Sequence, residues 1–158
     1  MTAAAMLGAF GGASSASASA SAGYISGVDA VTDDWGDEGT LSTTSYANSG
    51  AVGLWQKVLV ADGLMSTVDV DCSFGPKTLA ATKTWQSRNG LTADGKVGPA
   101  TFGKADNRLT DQGNGYVYYN GSNGVAAFKR ANGRYSALFY NSNDTWSVVY
   151  YSSKPSWC

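Results

Sequence analysis

The 158-residue chain contains no histidine, one glutamate and two cysteines. Without histidine, the Ser-His and Cys-His pairs of ordinary nucleophilic catalysis cannot form within this sequence, and neither can the His-based sites of catalytic zinc. Two cysteines alone cannot supply the four ligands of a structural zinc site. We therefore predict no metal site and no other cofactor, and only a pair of carboxylates remains as catalytic machinery.

Charge is scarce as well, and its two signs are balanced. Eleven Lys and Arg face twelve Asp and Glu, which gives a formal net charge of −1 and leaves no run of basic residues. Because nucleic acids are bound through basic patches, the sequence predicts no nucleic-acid partner. It also has no apolar run of the roughly 20 residues that a membrane-spanning helix needs. We expect a monomer without a membrane span.

The first 22 residues are almost all small or apolar. An apolar stretch from Ala3 to Phe10 runs into alternating alanine and serine, in the order of a secretory signal's apolar core and small-residue cleavage site. Cleavage after Ala20 or Ala22 would fit that rule, although no Lys or Arg precedes the stretch. We predict that residues 1–22 are a secretion signal, which implies a secreted protein. The alternative is a disordered Ala/Ser-rich leader.

The two cysteines are Cys72, in the middle of the sequence, and Cys158. In an exported protein an even number of cysteines favours a disulfide. Such a bond would tie the C-terminal segment to the middle of the chain and close a long loop. The alternative is a pair of buried free thiols.

A short phrase occurs twice, at Asp71–Thr78 and at Asp94–Thr101. Aspartate, an apolar residue, Gly-Pro and threonine recur in both copies at the same offsets. Proline suits the first position of a helix, since its ring presets φ and its missing N–H would be unpaired there. Each phrase therefore predicts the start of a helix. Together with the apolar period upstream, the sequence predicts three helices, at Gly50–Ala61, Pro76–Asn89 and Pro99–Ala105.

Other residues accompany the two phrases in a fixed order. Trp55-Gln56 precedes the first phrase, and Trp85-Gln86 and Asn89-Gly90-Leu91 separate the two. The whole ordered set, over about residues 49–105, resembles the small three-helix peptidoglycan-binding domain of bacteria. The resemblance implies three packed helices that bind the cell-wall polymer peptidoglycan. One departure is Asp71-Cys72, where the family pattern has Asp-Gly.

Residues 23–48, ahead of this region, are rich in glycine, serine, threonine and aspartate. We predict that they form an irregular acidic arm that serves as a solvated linker. The alternative is a calcium site, because carboxylate oxygens are ligands that Ca²⁺ prefers. The carboxylates cluster around Trp35 and are Asp29, Asp33, Asp34, Asp37 and Glu38.

After residue 105 the apolar pattern changes to runs rich in tyrosine and valine, separated by turn signals at Asn120-Gly121, Asn132-Gly133 and 141–144. Asn-Gly between such runs favours tight hairpins. Residues 112–158 therefore predict an antiparallel β-meander of about four strands, whose apolar face we expect the helices to cover. The predicted fold class is α+β, a three-helix unit followed by a small sheet.

The resemblance, and the polar residues that lie beside aromatic ones, predict a shallow binding groove near the repeated phrases. Arg88 could pair with a carboxylate from the peptide part of the polymer. Structural alternatives exist: Phe74 would be core, Gln86 would hold a turn, and the aspartates would cap helix N-termini. The candidate ligand-binding residues are Asp71, Phe74, Lys77, Gln86, Arg88 and Asp94.

These observations predict a secreted, non-catalytic protein that binds peptidoglycan at the cell wall. A second hypothesis is a small wall hydrolase that uses a pair of carboxylates from Asp69, Asp71 and Asp94. A third is a secreted interaction or inhibitor protein, in which the sheet exposes an aromatic face. The aromatic residues of that face would be Tyr116, Tyr118, Tyr135, Tyr140, Tyr150 and Trp146.

Overall fold

The computed structural model describes residues 18–139, 145–156 and 158 of the chain. Most of the predicted secretion signal, Tyr140 and the predicted turn at 141–144 lie outside the described residues. The described part begins with a short helix, continues through an irregular arm into three further helices, and ends in an antiparallel sheet. The predicted α+β class is confirmed.

The three predicted helices are present, and each begins at the predicted residue. Ser49 caps the first of them, since its Oγ accepts a hydrogen bond from Val52 N at 3.2 Å. The second ends one residue before the predicted Asn89, which has left the helical conformation with φ −100°. No helix in the described part is long and apolar enough to cross a membrane. The helices of the described part are α1 (Ala18–Ala22), α2 (Gly50–Ala61), α3 (Pro76–Arg88) and α4 (Pro99–Ala105), with 3-10 turns at Val31–Asp33, Thr67–Asp69 and Asp106–Arg108.

Aromatic side chains join α2, α3 and α4. The rings of Trp55 and Trp85 meet edge to face with centroids 5.1 Å apart, and Phe102 lies 5.9 Å from Trp55. Each indole N–H has a partner, because Trp55 donates to Thr82 Oγ1 at 2.9 Å and Trp85 donates to Asp62 Oδ2 at 2.6 Å. Both tryptophans are therefore part of the core and are not available to a ligand.

The described part of the sheet has five strands, one more than predicted, and they pair in chain order. The additional strand is the first, which the apolar pattern missed because four of its five residues are exposed. Asn114 and Gly115, with φ of 53° and 78°, form the tight turn that follows it. The sheet thus begins before the predicted residue 112. The strands are β1 (Leu109–Gly113), β2 (Tyr116–Asn120), β3 (Val125–Ala131), β4 (Arg134–Leu138) and β5 (Trp146–Val148).

The arm at residues 23–48 is not the solvated linker that its composition predicts. Trp35 is fully buried between the helices and the sheet. Its ring centroid lies 6.0 Å from that of Phe102, 5.7 Å from Phe128 and 5.6 Å from Tyr135. Burying an aromatic ring of this size outweighs the polar composition around it. The arm therefore completes the core between the two units.

Two carboxylates of the arm are buried as well and are bonded to the sheet side of the molecule. Asp34 accepts hydrogen bonds from Tyr135 at 2.7 Å and from Arg130 at 2.8 Å. Glu38 accepts one from Tyr151. Burial raises the pKa of Asp34, although Tyr135 and Arg130 oppose the shift. Within the described residues, no group of three or more His, Cys, Asp or Glu is placed to hold a metal ion.

A disulfide joins Cys72 to Cys158, with the two Cα atoms 5.6 Å apart. Gly53 on α2 makes room for it, since a β-carbon there would collide with the Cys72 sulfur and with the ring of Phe139. Glycine inside a helix costs about 1 kcal/mol relative to alanine. The absence of a β-carbon at Gly53 lets the disulfide and the sheet pack directly against α2.

Candidate functional site

The two repeated phrases form two turns of the same construction. We call residues Asp71–Thr78 the first turn and Asp94–Thr101 the second turn. Each runs into a helix that begins at its proline. Each is also held by a buried glutamine from the preceding helix, Gln56 on α2 or Gln86 on α3.

Gln56 binds the first turn through both atoms of its amide. The amide nitrogen lies 2.8 Å from Asp71 Oδ1, 3.0 Å from the Ser73 carbonyl and 2.9 Å from Thr78 Oγ1. The amide oxygen accepts the backbone N–H groups of Asp71 and Cys72. The aspartate and threonine of the phrase therefore serve to bind this glutamine.

Gln86 repeats the arrangement in the second turn. Its amide nitrogen lies 2.8 Å from Asp94 Oδ1, 2.9 Å from the Lys96 carbonyl and 3.0 Å from Thr101 Oγ1. Its oxygen accepts the Gly95 N–H at 2.9 Å. The partners occupy the same offsets from the aspartate as in the first turn, which explains why these residue types recur in the sequence.

The aspartates accept backbone N–H groups, as the structural alternative predicted, but these N–H groups lie within the turns and not at the helix N-termini. Asp71 Oδ1 accepts the N–H of Ser73, and Asp94 Oδ1 accepts the N–H of Lys96, each at 2.9 Å. The N-cap residues of α3 and α4 are glycines without a side-chain cap. The hydrogen bond from the Lys96 N–H also lowers the pKa of Asp94, so this carboxylate is ionised at neutral pH.

The two turns differ at the residue after the aspartate. Gly95 has φ 74° and Cys72 has φ 56°, so both adopt the left-handed conformation. Only glycine adopts it without steric cost. Cys72 is held in that conformation at the point where it bonds to Cys158. Cys72, where the family pattern has glycine, therefore keeps the backbone conformation of the turn and adds the disulfide to Cys158.

An open groove of about 490 Å³ borders the second turn. One wall comes from the arm, where Leu41 and Val97 exchange backbone hydrogen bonds at 2.9 and 3.0 Å. The groove presents a carboxylate, an ammonium group and two hydroxyls beside apolar side chains. Such a surface suits a ligand that carries amides, carboxylates and hydroxyls. Its lining includes Thr40, Leu91, Thr92, Asp94, Lys96 and Pro99.

Three of the predicted contact residues have clear positions relative to this groove. Asp94 is exposed within it. Gln86 also borders it, but the side chain is 1% exposed and its amide is fully engaged by the turn. Phe74 is 4% exposed and belongs to the core. For these two residues the structural alternatives are therefore correct: Gln86 holds a turn, and Phe74 is part of the core.

The other three predicted residues lie elsewhere. Asp71 and Lys77 are exposed at the first turn, where Lys77 Nζ lies 2.5 Å from Asp69 Oδ1. Arg88 borders a separate hollow of about 220 Å³ together with Arg108. Of the six residues, the structure brings only Gln86 and Asp94 together in the groove of the second turn.

The sequence interpretation missed Thr40, Thr92 and Lys96 in the groove. Lys96 could have been predicted from the sequence, because it lies within the second phrase at the position that follows the glycine. Thr40 carries no local signal, since it lies in the arm and reaches the groove only through the pairing of its neighbour Leu41 with Val97.

A glycosidase needs one protonated and one ionised carboxyl group beside the bond that it cleaves. A general acid needs a raised pKa, whereas that of Asp94 is lowered. Asp106 does have a raised pKa, about 7, which follows from burial. Its side chain is 1% exposed and accepts the backbone N–H of Trp35 at 3.2 Å. Asp106 is thus sealed in the core and not presented to a substrate.

The aromatic face of the sheet is smaller than predicted. Tyr116 and Trp146 do share the outer face, with ring centroids 5.9 Å apart. The ammonium of Lys129 lies over both rings, at 4.9 and 4.8 Å from their centroids. Tyr135 is fully buried instead, and Tyr140 lies outside the described residues. Lys129 therefore lies over the pair formed by Tyr116 and Trp146, whereas Tyr150 is 39% exposed.

Residues 48–104 match the family model described as "Putative peptidoglycan binding domain". The matched segment contains both turns and both glutamines that hold them.

Two curated relatives are also similar to the chain. A zinc D-Ala-D-Ala carboxypeptidase of Streptomyces albus G is 42% identical over 91 residues, which are 56% of this chain and 32% of that protein. A protein of Kitasatospora aureofaciens described as "Uncharacterized protein in bpoA1 3'region" is 58% identical over 38 residues, which are 24% of this chain and 32% of that protein. The chain spans about a third of the length of these relatives. No solved structure matches it.

Proposed function

We propose, on the premise that residues 48–104 form a domain of the peptidoglycan-binding family, that this protein binds cell-wall peptidoglycan without cleaving it. The proposed contact surface is the groove at the second turn. The observation that carries the proposal is the coincidence of two features. The segment that matches the family also opens into a groove with charged groups and hydroxyls beside apolar side chains.

The chemistry of the groove complements that of the polymer, which offers amides, carboxylates and sugar hydroxyls over apolar ring faces. The Lys96 ammonium suits a carboxylate of the peptide part. Asp94 uses Oδ1 for the turn, which leaves Oδ2 to accept an N–H or O–H of the ligand. Leu91 and Pro99 offer apolar surface for a sugar ring or a methyl group.

Two observations favour binding without bond cleavage. The 158 residues contain no histidine to act as a base or to hold a catalytic metal. Asp94 is held as a carboxylate, and the Asp106 carboxyl that would be protonated near neutral pH is buried. The groove is therefore equipped to hold charge and not to transfer protons.

We further propose that the protein is secreted and acts at the cell wall. The disulfide between Cys72 and Cys158 is of a kind that persists in oxidising compartments outside the cytosol. The polymer proposed as the ligand lies outside the membrane. The small and apolar residues at the start of the sequence are consistent with export.

Sedimentation of the full chain with insoluble peptidoglycan tests the proposal. A single shallow groove should give a Kd between about 1 μM and 1 mM. Lys96→Met keeps the length of the side chain but removes its charge, and should weaken binding about tenfold. Lys104→Met, which removes the same charge from the exposed end of α4, is the matched control and should bind like the wild type.

A steric variant tests the groove independently of charge. Ala100→Trp adds bulk to the lining, whereas Ala80→Trp adds the same bulk to the exposed face of α3. Only the first should reduce sedimentation. A wild-type protein that stays in the supernatant contradicts wall binding altogether, and unchanged binding of both groove variants contradicts the assigned surface. Clearing of a turbid wall suspension by the pure protein would favour the hydrolase hypothesis instead.

A further inference from the structure

A second cavity, of about 210 Å³, lies between α2 and the sheet. It shares no lining residue with the groove of the second turn. Both units of the chain build it, so it is a product of their packing. Its lining includes Lys57 and Val60 from α2, Val70 from the loop that follows, and Val125, Ala126 and Phe139 from the sheet side.

The walls of this cavity are mostly apolar, and apolar side chains are also exposed around it. Val125 is 57% exposed although it lines the cavity. Val68 is 77% exposed and belongs to the same 3-10 turn as the lining residue Thr67. Concave apolar surfaces with exposed aliphatic side chains commonly mark sites where a ligand completes the burial.

Lys57 provides the cationic group of the cavity. Its Nζ donates to the Leu138 carbonyl at 2.8 Å, although an ammonium group has three donors. No carboxylate among the described residues lies within ion-pair distance of it. Burial without a counter-charge lowers the pKa of Lys57. An anion bound here would therefore offer acceptors to the other donors of the ammonium and supply the counter-charge that the described residues lack.

We propose that this cavity binds a small aliphatic carboxylate, with its apolar part against the valine side chains and its carboxylate paired with Lys57 Nζ. The two features select this class together. A neutral apolar ligand would leave the ammonium without a counter-charge, and a purely ionic ligand would leave the valines exposed. This inference goes beyond peptidoglycan binding at the second turn and does not depend on it.

Two sources could supply such a carboxylate, a free short-chain acid or the C-terminal end of a short peptide with small aliphatic side chains. Hexanoate represents the free acid, and acetyl-alanyl-alanine with L- or D-residues represents the peptide end. Hexanamide and the amide of the dipeptide are matched probes without the charge. Titration of the full-length protein, followed by NMR, measures the affinity for each probe and locates the perturbed residues.

For the wild type, at least one carboxylate probe should bind at least about tenfold more tightly than its amide, since the charge-assisted pair is lost in the amide. The perturbed resonances should include those of Lys57 and Val125. Tighter binding of hexanoate identifies a free acid as the preferred source, whereas tighter binding of the dipeptide identifies a peptide end. Equal affinities for each carboxylate and its amide, or no binding by any probe, overturn the proposal.

Lys57→Met separates charge recognition from apolar packing. It should bring the ratio of carboxylate to amide affinity close to one, while the affinity for the amides stays within about twofold of the wild type. Lys83→Met, which removes a charge from the exposed face of α3, should leave every affinity unchanged. A Lys57→Met protein that still prefers the carboxylates overturns the proposal. The comparison of probes on the wild type remains decisive if the variant does not fold.

Discussion

The first and second turns have the same internal bonds but different surroundings. In both, a buried glutamine binds an aspartate, a carbonyl and a threonine at equal offsets. At the left-handed position the first turn has Cys72, which is bonded to Cys158, and the second has Gly95. The first turn therefore fastens the C-terminal segment to the helices, whereas the second borders an open groove.

The difference comes from the segments that pack against each turn. Residues near the C-terminus reach the start of α2 beside the first turn, where Gly50 N donates to the Ser153 carbonyl at 2.8 Å. At the second turn the arm pairs through Leu41 and leaves the neighbouring Thr40 at the groove. One local backbone structure can thus serve as an anchor in one place and as a candidate binding surface in another.

Among the changes that test how the two turns differ, removal of the disulfide should lower the free energy of unfolding the most. Cys72→Ser with Cys158→Ser opens a loop between residues 86 positions apart. In the chain-entropy model this lowers the free energy of unfolding by about 4.5 kcal/mol, which urea unfolding measures. Cys72→Gly with Cys158→Ser should recover about 1 kcal/mol of it, because glycine accepts the positive φ. Equal stability of the two double variants would contradict a conformational cost at Cys72.

The two glutamines test whether the turns are energetically equivalent. Gln56→Leu and Gln86→Leu should each lower the free energy of unfolding by about 3 kcal/mol, because several buried polar groups lose their partner. Gln112→Leu, on the exposed part of β1, is the control and should change stability by less than about 0.5 kcal/mol. If only one of the two glutamine variants destabilises the protein, the two turns contribute unequally to stability although their hydrogen bonds are the same.

A β-carbon at the left-handed position of the second turn should have a smaller effect. Gly95→Ala places a side chain at φ 74° and presses it against the side chains of Leu79 and Lys83. We expect the free energy of unfolding to fall by about 1.5 kcal/mol, measured by thermal or urea unfolding. Gly124→Ala, where the added atom meets nothing within 4 Å, is the matched control. Equal stability of the two variants would mean that the left-handed position is not restrictive.

The charge of Asp94 should contribute least, because this side chain is exposed. Asp94→Asn should lower the free energy of unfolding by about 0.5 kcal/mol at neutral pH. The Lys96 N–H holds the folded-state pKa of Asp94 below its ordinary value, so the contribution is present above that value and is lost as the pH falls below about 4. Urea unfolding of both proteins at neutral and acidic pH should show the difference closing. A difference that persists in acid would contradict an electrostatic origin.

The helices were predictable because their signals are local. Proline at the first position, Ser49 as an N-cap and the apolar period of α2 each act within one or two turns of the chain. The sheet was predictable for the same reason wherever strands alternate and Asn-Gly separates them. Strand β1 lacked that alternation, and only its pairing with β2 makes it a strand.

The candidate site was predictable only in part. The second phrase contains Asp94 and Lys96, so the sequence indicates the right segment. The same patterns could not tell that Gln86 and Phe74 face inward, because side-chain direction depends on how the helices and turns pack. Nor could they bring Thr40 to the groove, since that approach requires the arm to pair with residues more than fifty positions away.

By itself the sequence determined where the three helices start and that one pattern precedes two of them, because the signals of Gly-Pro and of the capping serine act within a few residues of the chain. Tertiary structure alone decided that an acidic arm would bury Trp35 between two units. It also decided that the second turn would border an open groove. The reason is physical: burial and long-range pairing depend on surfaces that exist only once distant segments have packed together.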